Sequence, residues 1–155
     1  MKEVVLDTET TGLDIITDKI IGISFSAQEQ EAYYLPLLKK DLIELSPEEV
    51  LSLVRPLFLS SRIKKVAHNL KFDMQMLDRH NITIKEPFGD SMLLAFVLDS
   101  TRPSFSLDAL VLEIFNFKKI PITELIGAKK DLSMAEVEPK KLSYYACEDA
   151  DYCLR

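Results

Sequence analysis

The segment VVLDTETTG, residues 4–12, ends an apolar β-type run with two carboxylates, Asp7 and Glu9. Residues two apart in a β-strand point to the same face, so these two side chains are expected to lie side by side. Neighbouring carboxylates repel one another, and each raises the pKa of the other. A divalent metal ion would offset this repulsion, because hard cations prefer oxygen ligands. The segment therefore predicts part of a metal site.

Two further segments carry acidic residues at helical spacing. In HNLKFD, Asn69 and Asp73 are four residues apart and are predicted to share one face near a helix N-terminus. In YYACEDAD, the same spacing predicts that Tyr145 and Asp149 share a face, whereas Asp151 points elsewhere. Each segment alone is common on protein surfaces. Only the combination of the three, in this order, predicts a specific site.

The hydrophobic pattern predicts the elements that must position these groups. Period-two alternation or short apolar runs predict four strands, at residues 3–8, 19–27, 31–37 and 64–68. Helical periodicity and helix-start signals predict five helices, at residues 47–58, 69–80, 90–98, 106–116 and from 139 to the end. Ser46 is the predicted N-cap of the first helix, because Pro47 follows it. The order predicts an α/β domain in which the first strands pair antiparallel and the later strand joins through a helical crossover.

Length and composition restrict the class of protein. With 155 residues, 47% hydrophobic and 28% charged, the chain has the balance of an ordinary globular domain. It contains no apolar run of the roughly 20 residues that span a bilayer, and no signal peptide precedes the first predicted strand. We therefore expect a cytoplasmic protein without membrane contact. Cys147 and Cys153 match no zinc or redox spacing and are expected to be free thiols.

The net charge of −6 argues against a stand-alone clamp on duplex DNA, because such proteins are usually basic. It does not argue against an acidic metal site that acts on nucleic acid. Most of the lysine pairs are expected to be solvated surface, with one or two able to touch a phosphate backbone. These pairs are Lys39–Lys40, Lys64–Lys65, Lys118–Lys119, Lys129–Lys130 and Lys140–Lys141.

The three acidic segments, in this order, resemble the motifs of the DEDD family of 3′→5′ exonucleases. Tyr145 in the third motif matches the tyrosine subtype, and neither His68 nor His80 lies where the histidine subtype requires one. The segments DTETTGLD, KKVAHNLKFDMQML, DSMLLAFVLDSTRPSFSLDAL, IPITELIGAKK and LSYYACEDAD also resemble the proofreading exonuclease domain of bacterial family A DNA polymerases, the DNA polymerase I family. The resemblance implies a ribonuclease H-like fold with a mixed five-stranded sheet flanked by α-helices. It also implies that residues 1–155 are a single exonuclease domain from a longer polypeptide, with a polymerase domain after Arg155.

The resemblance implies a metal-dependent hydrolase that shortens DNA from its 3′ end, releases 5′-mononucleotides and proofreads for the linked polymerase. The implied cofactors are two divalent ions, Mg²⁺ or Mn²⁺, with Zn²⁺ as an alternative at one site. Asp7 would bridge both ions and Asp73 would hold the second ion. Glu9 and Asp149 would complete the coordination of the first ion, which holds the attacking water. Tyr145 would orient that water, because a phenol with a pKa near ~10 is a poor base at neutral pH.

The resemblance further implies a groove for the last nucleotides of a single DNA strand. The implied substrate-binding residues flank the first two motifs, and they are Thr10, Leu13, His68, Asn69 and Phe72. Leu13 is similar to the apolar wedge that the family places near the terminal base, whereas Phe72 is as readily explained by packing. Ile122 stands where relatives can carry an aromatic residue. An aliphatic side chain there forgoes base stacking, which is worth roughly 1–3 kcal/mol.

Two other functions remain open on sequence alone. An RNA exonuclease of the ribonuclease D type would use the same metal site and would differ in its contacts to the ribose 2′-OH. A catalytically silent domain that only spaces a polymerase from its partners would need no metal. The presence of all four carboxylates and Tyr145 argues against the silent domain. We expect a monomer.

Overall fold

The chain forms a five-stranded mixed sheet with helices on both faces, as described by a computed structural model. The structure describes residues 2–38, 44–128 and 132–155. The strands are β1 (Lys2–Thr10), β2 (Ile20–Gln28), β3 (Glu31–Pro36), β4 (Ile63–Ala67) and β5 (Phe88–Asp90). The helices are α1 (Pro47–Leu59), α2 (Leu70–Asp78), α3 (Ser91–Leu98), α4 (Leu107–Phe115), α5 (Ile122–Ile126) and α6 (Pro139–Leu154). A 3-10 turn spans Met134–Glu136.

Strand β1 lies at the centre of the sheet, whose strand order is β3-β2-β1-β4-β5. It pairs antiparallel with β2 and parallel with β4, which confirms the predicted crossover. The pairing with β2 continues to Thr10, but the pairing with β4 ends where Val5 meets Val66. Within the part of the chain that the structure describes, the second half of β1 therefore has a strand neighbour on one side only. Asp7 and Glu9 lie in this half.

Successive side chains of β1 enter different layers, as the two-residue repeat of a strand requires. Leu6 packs in a core cluster with Phe58 of α1 and Leu77 of α2. The second cluster joins Ile21 of β2 to Leu142 of α6, together with side chains of α5 and the 3-10 turn. The sheet is thus covered by α1 and α2 on one face and by α6 on the other.

Side-chain caps fix where the helices begin. Ser46 accepts a hydrogen bond from the backbone N–H of Glu49, and the Glu49 side chain accepts one from the backbone N–H of Ser46. This reciprocal pair starts α1 at the predicted residue. The Asp90 carboxylate accepts two backbone N–H groups at the start of α3 and two more around the start of α2. One carboxylate at the end of β5 therefore anchors two helices.

Two of the lysine pairs depart from the prediction of a solvated surface. Lys65 is fully buried, and its Nζ donates to the carbonyl oxygens of Ser60 at 2.6 Å and Ile63 at 2.9 Å. Lys119 is 4% exposed. In contrast, Lys64, Lys118, Lys140 and Lys141 are at least partly exposed. The pairs Lys39–Lys40 and Lys129–Lys130 lie outside the described residues.

Helix α3 is apolar along its length, yet none of its residues is buried. Val97 is 79% exposed and Leu98 is 74% exposed. With α4 and the end of α6, this helix lines an apolar groove of about 680 Å³. Within the described ranges, no helix has the length and apolarity needed to cross a bilayer, α3 included.

Gly22 of β2 provides a sharp test of packing beside the acidic end of β1. Gly22 pairs with Glu9, and a Cβ at this position would lie 2.1 Å from Tyr34 Oη and 2.3 Å from Tyr34 Cζ. We expect Gly22→Ala to lower the free energy of unfolding by about 1–3 kcal/mol, the usual cost of overpacking. Urea unfolding measures this change. The matched control is Gly89→Ala, because its Cβ would meet the flexible Lys64 side chain at 3.1 Å. Equal stability of both variants would contradict the prediction.

Candidate active site

Three carboxylates from the first strand and the last helix converge in the structure. One oxygen atom from each of Asp7, Glu9 and Asp149 lies within 4.8 Å of the others. Asp7 and Glu9 share a face of β1, as their spacing predicts, and Asp149 approaches from α6. Glu9 is 6% exposed, and its Oε1 atom has no hydrogen-bond partner among the described residues. A buried carboxylate oxygen without a donor is costly, so this arrangement is suited to a cation.

Asp73 reaches the same end of β1 from α2. Its Oδ1 atom accepts the backbone N–H of Thr8 at 2.9 Å and the Thr8 hydroxyl at 2.6 Å. This backbone N–H is free to bond a side chain because β4 stops pairing with β1 at Val5. Asp73 is 2% exposed, and its charge acts on Asp7. Thr8 therefore positions Asp73, a role that the sequence analysis did not identify.

Burial and mutual repulsion favour the protonated form of these carboxyl groups when no cation is bound. Burial, reinforced by the charge of Asp73, raises the pKa of Asp7 to about 7. Burial also raises the pKa of Asp73 and of Asp149 to about 7, the latter against the attraction of Lys119. Burial and then the charges of Asp7 and Asp149 raise the pKa of Glu9 well above its ordinary value. Raised pKa values of this kind are typical of functional carboxylate clusters.

Lys119 is buried against the acidic cluster. Its Nζ forms an ion pair with Asp149 and donates a hydrogen bond to Asp108 Oδ1 at 2.9 Å. The same atom lies 5.4 Å from the centroid of the Tyr145 ring. The expectation of a solvated pair therefore holds for Lys118 and is wrong for Lys119. Nothing in the sequence distinguishes these adjacent lysines.

Helix α6 directs Tyr145 and Asp149 to the same site. Burial, followed by the charges of Asp149 and Glu9, raises the pKa of Tyr145, so its phenol stays protonated at neutral pH. The protonated phenol can donate a hydrogen bond there. Asp151 lies away from the cluster, as predicted, but it is not solvated. Its Oδ1 atom accepts the backbone N–H of Gln30 at 2.6 Å.

The first group of implied substrate-binding residues follows the end of β1. The Thr10 hydroxyl donates to the backbone carbonyl of Gly12 at 2.6 Å, so this hydroxyl is engaged within the turn. Leu13 is 84% exposed and is free to contact a ligand. Ile122 begins α5 and is 37% exposed. The roles of Thr10 and Leu13 in substrate binding stay predictions.

The second group lies where β4 passes into α2. Asn69 is in the left-handed region at φ 68° and precedes the helix. The prediction that it shares a helix face with Asp73 is therefore wrong, since α2 begins one residue later. Phe72 packs against the first core cluster, which favours the packing interpretation. His68 Nδ1 lies 2.9 Å from Ser91 Oγ, and His68 Nε2 is buried.

Solved structures with the same fold confirm the predicted ribonuclease H-like architecture. NrnC of Brucella melitensis matches with a TM-score of 0.76 at 21% identity, over 100% of this chain and 69% of that chain. RNase D of Escherichia coli matches with a TM-score of 0.71 at 16% identity, over 99% of this chain and 37% of that chain. At these identities the similarity establishes the fold and not the substrate.

Sequence similarity establishes the family. A family model described as 3′-5′ exonuclease matches residues 1–155. DNA polymerase I of Borreliella burgdorferi is 33% identical over 154 residues, which are 99% of this chain and 16% of that protein. The chain thus matches a small part of a much longer relative. Because the match extends over its whole length, the chain belongs to the 3′→5′ exonuclease family, in the form present in bacterial DNA polymerase I.

Proposed function

We propose that the chain hydrolyses the terminal phosphodiester bond at the 3′ end of single-stranded DNA, releases 5′-mononucleotides and proofreads for a polymerase domain of the same polypeptide. The observation that carries this proposal is the convergence of Asp7, Glu9 and Asp149 oxygens within 4.8 Å. Asp73 lies at the same strand end. Membership of the exonuclease family and similarity to DNA polymerase I support DNA as the substrate.

The residues present fit divalent cations. The converging atoms are carboxylate oxygens, the ligands that Mg²⁺ and Mn²⁺ prefer, and Zn²⁺ is an alternative at one position. Glu9 Oε1 is buried and has no hydrogen-bond donor within the described chain, so a cation would satisfy it. Asp7, Glu9 and Asp149 would hold one ion, and Asp7 with Asp73 a second. When bound, the two ions would neutralise the phosphate and lower the pKa of the attacking water. NrnC, which shares this fold, has a structure with bound Mg²⁺.

The protein side chains would orient the substrate and the water. The protonated Tyr145 phenol would donate or accept a hydrogen bond to the attacking water and fix its direction. Thr8 would hold Asp73 in place through two hydrogen bonds to one oxygen atom. Leu13, exposed beyond the end of β1, would supply an apolar contact for the terminal base.

A nuclease assay tests the proposal directly. The purified chain is incubated with a 5′-labelled single-stranded DNA oligonucleotide and Mg²⁺ or Mn²⁺, beside an EDTA control and the Asp7→Ala variant. A ladder that shortens from the 3′ end, absent from both controls, is the expected result. A matched RNA oligonucleotide reports the substrate class. Cleavage of RNA but not of DNA would show that the chain is an RNA exonuclease and not a DNA exonuclease.

The absence of cleavage would be resolved by calorimetric metal titration. Tight binding of Mn²⁺ without cleavage would indicate an intact site that needs the polymerase domain to deliver DNA. The absence of both cleavage and metal binding would identify the silent structural domain instead.

Thr8→Val should reduce kcat/KM by about 10- to 100-fold, the usual effect of removing a partner that orients a metal ligand. The valine keeps the shape of Thr8 but loses the hydroxyl that donates to Asp73 Oδ1. Thr8→Ser keeps the hydroxyl and serves as the matched control. Kinetics at several Mn²⁺ concentrations, with calorimetric Mn²⁺ affinity, measure the effect. Equal activity of the two variants would show that the backbone N–H alone positions Asp73.

A further inference from the structure

We infer that Lys119 is a counter-ion built into the active site, which neutralises Asp149 in the metal-free state and must release it when divalent cations bind. The inference deepens the proposed function, because it concerns how this chain fills the proposed cation site. It assigns a positioning role to a lysine that sequence analysis places on the surface.

The Lys119 ammonium lies within the acidic cluster, next to its carboxylates. Its side chain is 1% exposed, and its Nζ pairs with Asp149, one of the three residues whose oxygens converge. Its charge acts on the other carboxylates as well, since it lowers the pKa of both Asp7 and Glu9. Burial lowers the pKa of Lys119 itself, but the charges of Asp149 and Asp108 outweigh burial and raise it. Two carboxylates, those of Asp149 and Asp108, therefore hold the ammonium in place.

Asp108 provides the second position that the exchange requires. It lies in the first turn of α4, its side chain is 61% exposed, and its Oδ1 atom accepts from Lys119 Nζ at 2.9 Å. A buried ammonium without a partner is strongly destabilising, so a lysine held by Asp149 alone could not release it. With Asp108 as partner, Lys119 stays paired after Asp149 turns to a metal ion. The backbone is meanwhile fixed next to the lysine, because Ile120 N–H donates to Glu148 Oε2 at 2.7 Å.

Direct competition for Asp149 has two measurable consequences. The metal ion must displace the ammonium, so removal of Lys119 should tighten cation binding. The metal-free protein depends on the ammonium to offset repulsion among the carboxylates, so removal of Lys119 should also lower its melting temperature in EDTA. A lysine on the surface would produce neither effect.

The test compares Lys119→Met with Lys118→Met, which removes the same charge from the exposed neighbouring residue. Calorimetric titration with Mn²⁺ and melting in EDTA are the readouts. We expect Lys119→Met to bind Mn²⁺ about tenfold more tightly, the factor that corresponds to one charge-assisted hydrogen bond, and to melt at a lower temperature in EDTA. Lys118→Met should match the wild type in both measurements. Equal dissociation constants for Lys119→Met and wild type would overturn the inference.

A double-mutant cycle with Asp108→Asn separates competition from long-range charge. In the wild-type background, Asp108→Asn should weaken Mn²⁺ binding several-fold, because Lys119 then depends on Asp149. In the Lys119→Met background the same substitution should have a much smaller effect, which is limited to the direct action of the Asp108 charge on Asp149. Equal weakening in both backgrounds would overturn the inference. If Lys119→Met does not fold even with Mn²⁺, Asp108→Asn alone provides the test. An Mn²⁺ affinity of Asp108→Asn equal to that of the wild type would then overturn the inference.

The proposed function and this inference fail in different ways. If neither the wild type nor Lys119→Met binds Mn²⁺, the cation site itself is wrong and the inference falls with it. If both bind with equal affinity, the site stands and only the role of Lys119 is rejected.

Discussion

Asp7→Asn is expected to lower exonuclease activity by about 1,000-fold, which corresponds to the loss of about 4 kcal/mol of transition-state stabilisation. Asp7 lies within 4.8 Å of Glu9 and Asp149 through its carboxylate oxygen, and the charge of Asp73 also acts on it. Asp7 therefore connects Asp73 with the pair formed by Glu9 and Asp149. The asparagine keeps the shape of the side chain but loses the charge that a cation needs. Single-turnover cleavage of a labelled DNA strand at saturating Mn²⁺ measures the loss.

The fold should survive this substitution. Burial and the charge of Asp73 raise the pKa of Asp7, so the ionised form is unfavourable in the metal-free protein. The neutral asparagine removes that repulsion, and its melting temperature in EDTA should equal or exceed that of the wild type. A strongly lowered melting temperature would mean that lost activity reflects unfolding.

Helix α6 offers a matched pair of substitutions as a control. Asp149→Asn should abolish activity because Asp149 belongs to the acidic cluster. Asp151→Asn should keep activity near the wild-type level. Asp151→Asn should instead lower the free energy of unfolding by about 1 kcal/mol, because Asp151 accepts a hydrogen bond from Gln30 N–H and pairs with Arg155. Equal losses of activity at both positions would reject the assignment of the catalytic face.

The melting temperature of the metal-free chain is expected to fall as the pH rises from about 5 to about 8. Burial raises the pKa of Asp7, Asp73 and Asp149 to about 7, from an ordinary value of 3.8. The folded chain therefore holds protons that the unfolded chain has released. The stability that these groups contribute is complete below their ordinary pKa and is lost as the pH rises through about 7. Each kcal/mol lost lowers the melting temperature by roughly 2–4 °C.

Comparison with Asp7→Asn isolates this effect. Burial lowers the pKa of His68, so His68 contributes with the opposite sign, and its stability is lost as the pH falls through the range near 6.5. His68 is common to both proteins and cancels in the difference between their melting curves. In EDTA the wild type should lose more stability than Asp7→Asn between pH 5 and 8, and saturating Mg²⁺ should reduce the pH-dependent loss of the wild type. Parallel curves in EDTA would contradict the raised pKa values.

Most of the fold could be predicted because its signals are local. The strands β1 to β4 and the helices α1 to α4 and α6 lie within a few residues of their predicted positions. The spacing of Asp7 and Glu9 is a property of any strand, and the start of α1 follows from Ser46 and Pro47. The convergence of Asp149 with these residues rested on the order of the motifs and on family resemblance.

The features that were missed depend on tertiary contacts. Strand β5 has three residues and α5 has five, too few to show a period. Asn69 takes a left-handed conformation immediately before α2, which spacing alone does not reveal. Lys119 is buried only because α4 and α6 bring Asp108 and Asp149 to it. The apolar sequence of α3 predicts burial as readily as the exposure that is found.

The acidic cluster combines residues of β1 with a residue of α6, so it can form only after both elements have been synthesised. Strand β1 is synthesised before α6, which ends at Leu154. Asp7 and Glu9 therefore emerge from the ribosome well before Asp149. Contacts so distant in sequence form late and slow the folding of a chain. The nascent chain should remain without cation affinity until α6 docks, so binding of Mn²⁺ can report completion of the fold.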